Sequence, residues 1–179
     1  MRALITMARI IDRINERLGR IAVWLVLIAC AVSAANAVSR YAFDLSSNAW
    51  LELQWYLFTA MVLLGAPFVL SVNGHVRVDV LYGRAEPRTR VWIDLLGLIF
   101  FLLPVAGLVA YLAWPFFLES FRGNEMSGNA GGLLRWPVKV LLPVGFGMLL
   151  LQGVAEIVKR IGYLRGMIEL DSQYEKPLQ

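Results

Sequence analysis

The sequence predicts an all-α integral membrane protein: four transmembrane helices preceded by an N-terminal amphipathic helix at the membrane interface. Three observations carry this. Four long stretches, 21–39, 53–76, 95–118 and 140–155, contain no Asp, Glu, Lys or Arg. Nearly all the basic residues lie on one side of these stretches, and the basic segment before the first one has a helical period of its own. About 20 apolar residues, each rising about 1.5 Å, cross the roughly 30 Å hydrocarbon core of a bilayer. The first three stretches meet this length directly. The fourth meets it once Lys139 snorkels to the interface, which extends the crossing over 136–158.

The composition leaves little room for anything else. With 59% hydrophobic residues in 179, four crossings use most of the chain, and no soluble catalytic domain fits beside them. The expected layout is a single four-helix membrane domain over 1–165, with spans at about 21–41, 50–72, 92–117 and 136–158, and a polar cytoplasmic tail over 166–179. A net charge of +4 would suit nucleic acid if the bases formed a patch, but they are dispersed around apolar segments. Membrane lipid is therefore the expected partner, and nucleic acid is not. The lone Cys30 has no second cysteine to pair with and reads as a small apolar residue.

Orientation follows from the bases. Thirteen of the 17 Lys and Arg fall before Ile21, from Arg77 to Arg90, or from Lys159 onward; only Arg40, Arg122, Arg135 and Lys139 fall on the other side. The positive-inside rule places both termini in the cytoplasm and turns the 40–50 and 119–138 connections outward. Before Ile21, the residues Leu4, Met7, Ile11, Ile14 and Leu18 follow a 3-4-3-4 spacing, with Arg9, Arg13, Glu16 and Arg20 elsewhere on the helix. A helix lying on the inner leaflet accounts for this pattern. A cleaved signal is the alternative, with Leu27-Ile28-Ala29-Cys30 or Ala35-Asn36-Ala37 as the cleavage site. The apolar run continues past both to Ser39, which favours a retained span.

Within the first span, Ala29, Ser33 and Ala37 recur every four residues, as do Ala31, Ala35 and Ser39. Small residues at this spacing let helices approach closely in lipid. Ser46-Ser47-Asn48 offers caps for the second helix, and Trp50, Trp55 and Tyr56 form an aromatic girdle. Glu52 follows in the first turns, where the helix dipole favours a carboxylate. At the membrane edge it reads as an interfacial residue or a contact to a partner subunit, rather than an ion site at depth. Asn73-Gly74 ends this helix.

His75 and Asp79 beyond it share a helical face, but one His with one Asp is too few ligands for zinc. The chain offers no metal site, no cofactor site and no catalytic constellation, so an enzyme is not expected. Deep in the spans only Asn36, Thr59, Gln152 and scattered Ser are polar, and Pro67, Pro104 and Pro143 are positions for kinks. The outer 119–135 connection is rich in Gly, Asn and Ser and is expected to be irregular and exposed, with Arg122 and Glu125 at its polar edge.

Several of these segments, in this order, resemble the small membrane subunit of the tripartite ATP-independent periplasmic (TRAP) transporters. They are Ser39-Arg40-Tyr41-Ala42-Phe43, Trp50-Leu51-Glu52 opening a helix, Leu64-Gly65-Ala66, and the run from Gly74 to Leu81. The resemblance covers about residues 8–162. The wording around Asn48-x-Trp50, Gln54 to Phe58 and Gly131-Gly132-Leu133 is similar to the branch associated with mannitol, chloroaromatic or 2-oxo acid uptake.

The resemblance implies a non-catalytic role in the bacterial inner membrane. A periplasmic substrate-binding protein captures an organic acid, a large multi-span subunit carries the substrate and sodium sites, and the small subunit scaffolds it. On that reading Glu52, Trp50, His75, Asp79, Arg122 and Glu125 are the candidate partner-contact residues. The competing reading is a self-sufficient, homo-oligomeric small transporter or channel, which requires a charged group facing a midplane cavity.

Overall fold

The computed structural model describes residues 1–45, 47–74, 82 and 85–169. Four helices are long and apolar enough to cross a membrane: α1 (Arg2–Phe43), α2 (Asn48–Ser71), α3 (Pro87–Arg122) and α4 (Trp136–Leu164). Among the described residues the only β-pairing is one isolated antiparallel bridge, Met126 with Leu134. The chain is therefore all-α, and the start of α1 lies beside the end of α4, at what is called the terminal end of the bundle; the opposite end is the loop end.

The amphipathic segment and the first span form one continuous helix. At about 1.5 Å per residue, 42 residues extend about 63 Å, twice the hydrocarbon thickness. Its inward face is a single stripe that runs through both halves, with Ile5, Ala8, Asn15, Gly19, Ala22 and Ala29 buried. The stripe of Leu4, Met7 and Ile14 lies on an adjacent face and stays exposed. The small-residue pattern divides in the same way: Ala29 is packed, while Ala31, Ser33, Ala35 and Ala37 face outward.

Local chemistry sets the helix ends. Ser47 caps α2 by accepting from the Ala49 N–H at 3.2 Å. Asn73, at φ 56°, turns the chain out of α2 in the left-handed conformation that Asn tolerates. Pro87 and Pro137 open α3 and α4, where a missing N–H costs nothing. Within α3 a π-helical turn covers Leu98–Leu102. Pro104 follows it and cannot donate back along the helix, which leaves the preceding turn free to widen.

Helix α4 is the hub. It packs on α1, α2 and α3, whereas α3 makes its extensive contacts with α4 alone. Close approach rests on glycine. A Cβ on Gly145 would sit 2.7 Å from the Leu63 Cβ and 3.0 Å from its carbonyl oxygen, so α2 and α4 touch nearly backbone to backbone. Gly19 does the same for α1 against the ring of Phe68. The core is accordingly small-residue packing, and most bulky apolar side chains point away from the bundle.

Candidate functional site

Polar side chains gather at two places, one at each end of the bundle. At the loop end, Glu52 stands on the second turn of α2 and is 3% exposed. Its carboxylate takes three hydrogen bonds from the connection between α3 and α4. Asn129 Nδ2 donates at 2.8 Å and the Leu133 N–H at 2.7 Å, and the Ser127 hydroxyl also donates. Asn48 Nδ2 donates to the Ala130 carbonyl at 3.1 Å, and the Tyr56 hydroxyl to that of Leu134 at 2.9 Å. Inside the loop, Ser127 N–H bonds the Leu133 carbonyl at 2.9 Å and Arg135 N–H that of Glu125 at 2.8 Å. The Gly-rich connection is irregular, as expected, but it is folded down onto α2 rather than free.

The remaining candidates fall around this latch. Trp50 and Arg122 are exposed, and Glu125 is partly buried against Lys139. The hydrogen-bonded Lys139 ammonium holds the Glu125 carboxyl below its usual value of 4.5. Lys139 in turn sits 3.9 Å from the centroid of the Phe116 ring. His75 and Asp79 lie outside the described residues.

At the terminal end, a larger network was missed by the sequence reading. Gln152 on α4 is fully buried; its Nε2 donates to Asp12 at 2.8 Å and to Glu156 at 2.9 Å, and its Oε1 accepts from Asn15 at 2.6 Å. Lys159 bridges Asp12 at 3.0 Å and Glu156 at 2.5 Å. Arg160 pairs with Glu156 and, at 3.0 Å, with Asp94 of α3, which also accepts from the Tyr82 hydroxyl at 3.1 Å. One connected set of side chains thus ties α1, α3 and α4 together. The signal was present in the sequence as Gln152, Glu156 and Arg160, four apart on one helical face. The apolar length of the fourth span, 136–158, does not draw on that spacing, and the acids it meets, Asp12 and Asp94, lie on other helices.

Each carboxylate is occupied by donors from its own chain. Among the described residues no three His, Cys, Asp or Glu side chains are grouped to hold a metal ion. The middle of the bundle is apolar apart from side chains such as Asn36 and Thr59, whose hydroxyl bonds the Trp55 carbonyl at 2.8 Å.

Comparison with known proteins gives a family. No curated protein and no solved structure matches the chain. The model of the DctQ component of tripartite ATP-independent periplasmic transporters matches residues 29–162, which include the last third of α1, the Glu52 latch, all of α2 and α3 and nearly all of α4. This multi-pass membrane chain therefore belongs to the DctQ family, the small-subunit component of TRAP transporters.

Proposed function

We propose that this chain is the scaffold of its transporter, holding a large multi-span subunit in place during ion-driven, binding-protein-dependent uptake of organic acids, of the 2-oxo acid or related carboxylate type. The observation that carries the reading is where the charges sit. Among the described residues, the buried ionisable side chains lie toward one or the other end of the bundle, Glu52 at the loop end and Glu156 and Arg160 at the terminal end, and each is spent on partners in the same chain. Transport sites are built instead at the midplane from broken helices whose polar backbone faces a cavity. A self-sufficient transporter or channel would need a charged group facing such a cavity, and the described residues place their buried charges at the bundle's ends.

The outward faces support the same division of labour. Ala31 with Ala35, and Ser33 with Ala37, leave two exposed small-residue stripes on α1 that another helix can approach closely, and Phe58, Val62, Phe101 and Tyr111 leave large apolar side chains for a partner or lipid. The base asymmetry supports a bacterial inner-membrane protein with both termini in the cytoplasm. The loop end, with Trp50, Arg122 and Glu125, then faces the periplasm as an edge for the substrate-binding protein, and His75 and Asp79 belong to the cytoplasmic side.

The test is purification from the native membrane followed by reconstitution. A large multi-span subunit is expected to co-purify, and liposomes containing this chain alone are expected to take up no solute. Uptake by the isolated chain would overturn the scaffold reading.

A further inference from the structure

Helix α1 runs on past the end of its neighbour α2. Gly19 faces the ring of Phe68, the Ala22 Cβ lies 3.6 Å from where a Cβ on Gly65 would sit, and α2 ends at Ser71. The chain runs in opposite directions in these two helices, so the first turns of α1 stand clear of α2. There α1 leans on α4, through Ile5 beside Gly162, Asp12 with Lys159 and Asn15 with Gln152.

The surface left open is of two kinds. Arg2, Arg9, Arg13 and Arg20 recur at intervals of seven, four and seven residues, which puts them on one face, and Arg17 stands at its border. All five are exposed. Among the described residues Arg20 alone of the five has an acid partner, Glu16 at 2.8 Å. Leu4, Met7, Ile14 and Ile21 recur at intervals of three, seven and seven, with Ile10 beside them, and are 45–59% exposed. At about 100° per residue, the packed stripe, the basic row and the apolar row lie about a third of a turn apart. Asp12 and Asn15 face α4 from the same turns, so the two rows flank the terminal network.

We propose that this half of α1 docks obliquely along the surface of an anionic bilayer, with the row from Leu4 to Ile21 in the lipid and Arg2, Arg9, Arg13 and Arg17 at headgroup phosphates. The two rows run side by side over about 27 Å of helix. A helix leaving the membrane upright would meet water on every open side and have no use for an apolar row, whereas one sunk in hydrocarbon could not hold five arginines. Both rows are served where hydrocarbon and headgroups meet along the length of the helix. Charge points to the same occupant: five arginines against Glu16 suit an anionic leaflet, while a second copy packed on this face would set arginine against arginine. The apolar row also continues into the outward side of the span, through Ile21 and the exposed Ile28. The surface rests on the membrane character of the chain and not on its scaffold role, so it stands or falls separately from that reading.

The experiment uses the full chain, with whatever subunits accompany it, in vesicles of phosphatidylcholine and phosphatidylglycerol. A nitroxide is attached through Met7→Cys or Arg9→Cys in a Cys30→Ala background, and its collisions with oxygen, which concentrates in lipid, are compared with those of a water-soluble nickel chelate. The label at 7 is expected to favour oxygen several-fold and the label at 9 the chelate, although the two stand two residues apart. Ile14→Cys repeats the reading two turns further along the apolar row. Spin-labelled phosphatidylglycerol is expected to associate with the wild-type chain in preference to spin-labelled phosphatidylcholine. Changing Arg2, Arg13 and Arg17 together to Gln, all at exposed positions, should bring that preference toward parity with helical content unchanged. Chelate access at 7 and 14 equal to that at 9 overturns the proposal, because the apolar row would then stand in water. Shielding of 7 and 14 from both reagents also overturns it, because the row would then seat a protein. An unchanged lipid preference in the triple variant overturns it as well.

Discussion

The two ends of this bundle solve the burial of charge in opposite ways. At the loop end a single carboxylate, Glu52, is held by neutral donors: a hydroxyl, an amide and a backbone N–H. At the terminal end, Asp12, Asp94 and Glu156 are set against Lys159 and Arg160, with Gln152 joining the acids. The first arrangement shapes one connection. The second joins three helices, so each charge there depends on residues far away in sequence. A lone anion bound by dipoles can lose one donor and keep the others, whereas a buried ion pair that loses a member strands its partner.

That contrast is most exposed to test at Glu156, which serves Lys159, Arg160 and Gln152 at once. Replacing Glu156 with Leu leaves two cations short of an acid at a site with little water. The expected cost is about 3–5 kcal/mol, the usual penalty for breaking a buried pair from one side. Unfolding in mixed micelles by a denaturing detergent would measure it. A cost no larger than that of an exposed pair such as Arg20 with Glu16 would mean that water reaches the network.

At the loop end the expected effect is local. Glu52→Ala removes all three acceptor contacts, so the 127–135 segment should lose amide protection and become cleavable by an added protease several-fold faster. Helix α2 and the terminal network should stay as they are. Global unfolding of Glu52→Ala to the same extent as Glu156→Leu would erase the distinction between the two ends.

The smallest expected effect belongs to Glu125, on the same connection. Its carboxyl is held below 4.5 by the Lys139 ammonium. A lowered folded-state value means the pair stabilises the protein fully above that pH and loses its contribution as the pH falls through the lower, folded-state value. Loop protection should therefore decline on acidification below about pH 4.5, and Glu125→Gln should flatten that decline by lowering the neutral-pH protection modestly toward its acid level. An acid response identical in the variant would assign the decline to other carboxylates.

Much of this molecule was legible in one dimension. Apolar length marks the crossings, because lipid cannot hydrogen-bond a backbone and a helix satisfies its own. Ser47 and Asn73 mark helix ends, because caps and left-handed turns act over a few residues. Glu52 drew notice as an acid at a membrane edge. Its partners, Ser127, Asn129 and Leu133, lie at least 75 positions away, and nothing in the local sequence assigns them.

By itself, then, the sequence determined the all-α class, the number of apolar helices and the asymmetry of charge, all of which follow from the chain's local periodicity and composition. The tertiary structure decided the rest. It made the amphipathic segment and the first span one helix with a single packed stripe. It left the Leu4, Met7 and Ile14 face outside, and it brought Asp12, Asp94 and Glu156 to a shared pair of cations. Helical period shows that a residue faces inward or outward only relative to neighbours on its own helix. Which helix it meets is set by where backbones can approach, and here Gly19 and Gly145 set that.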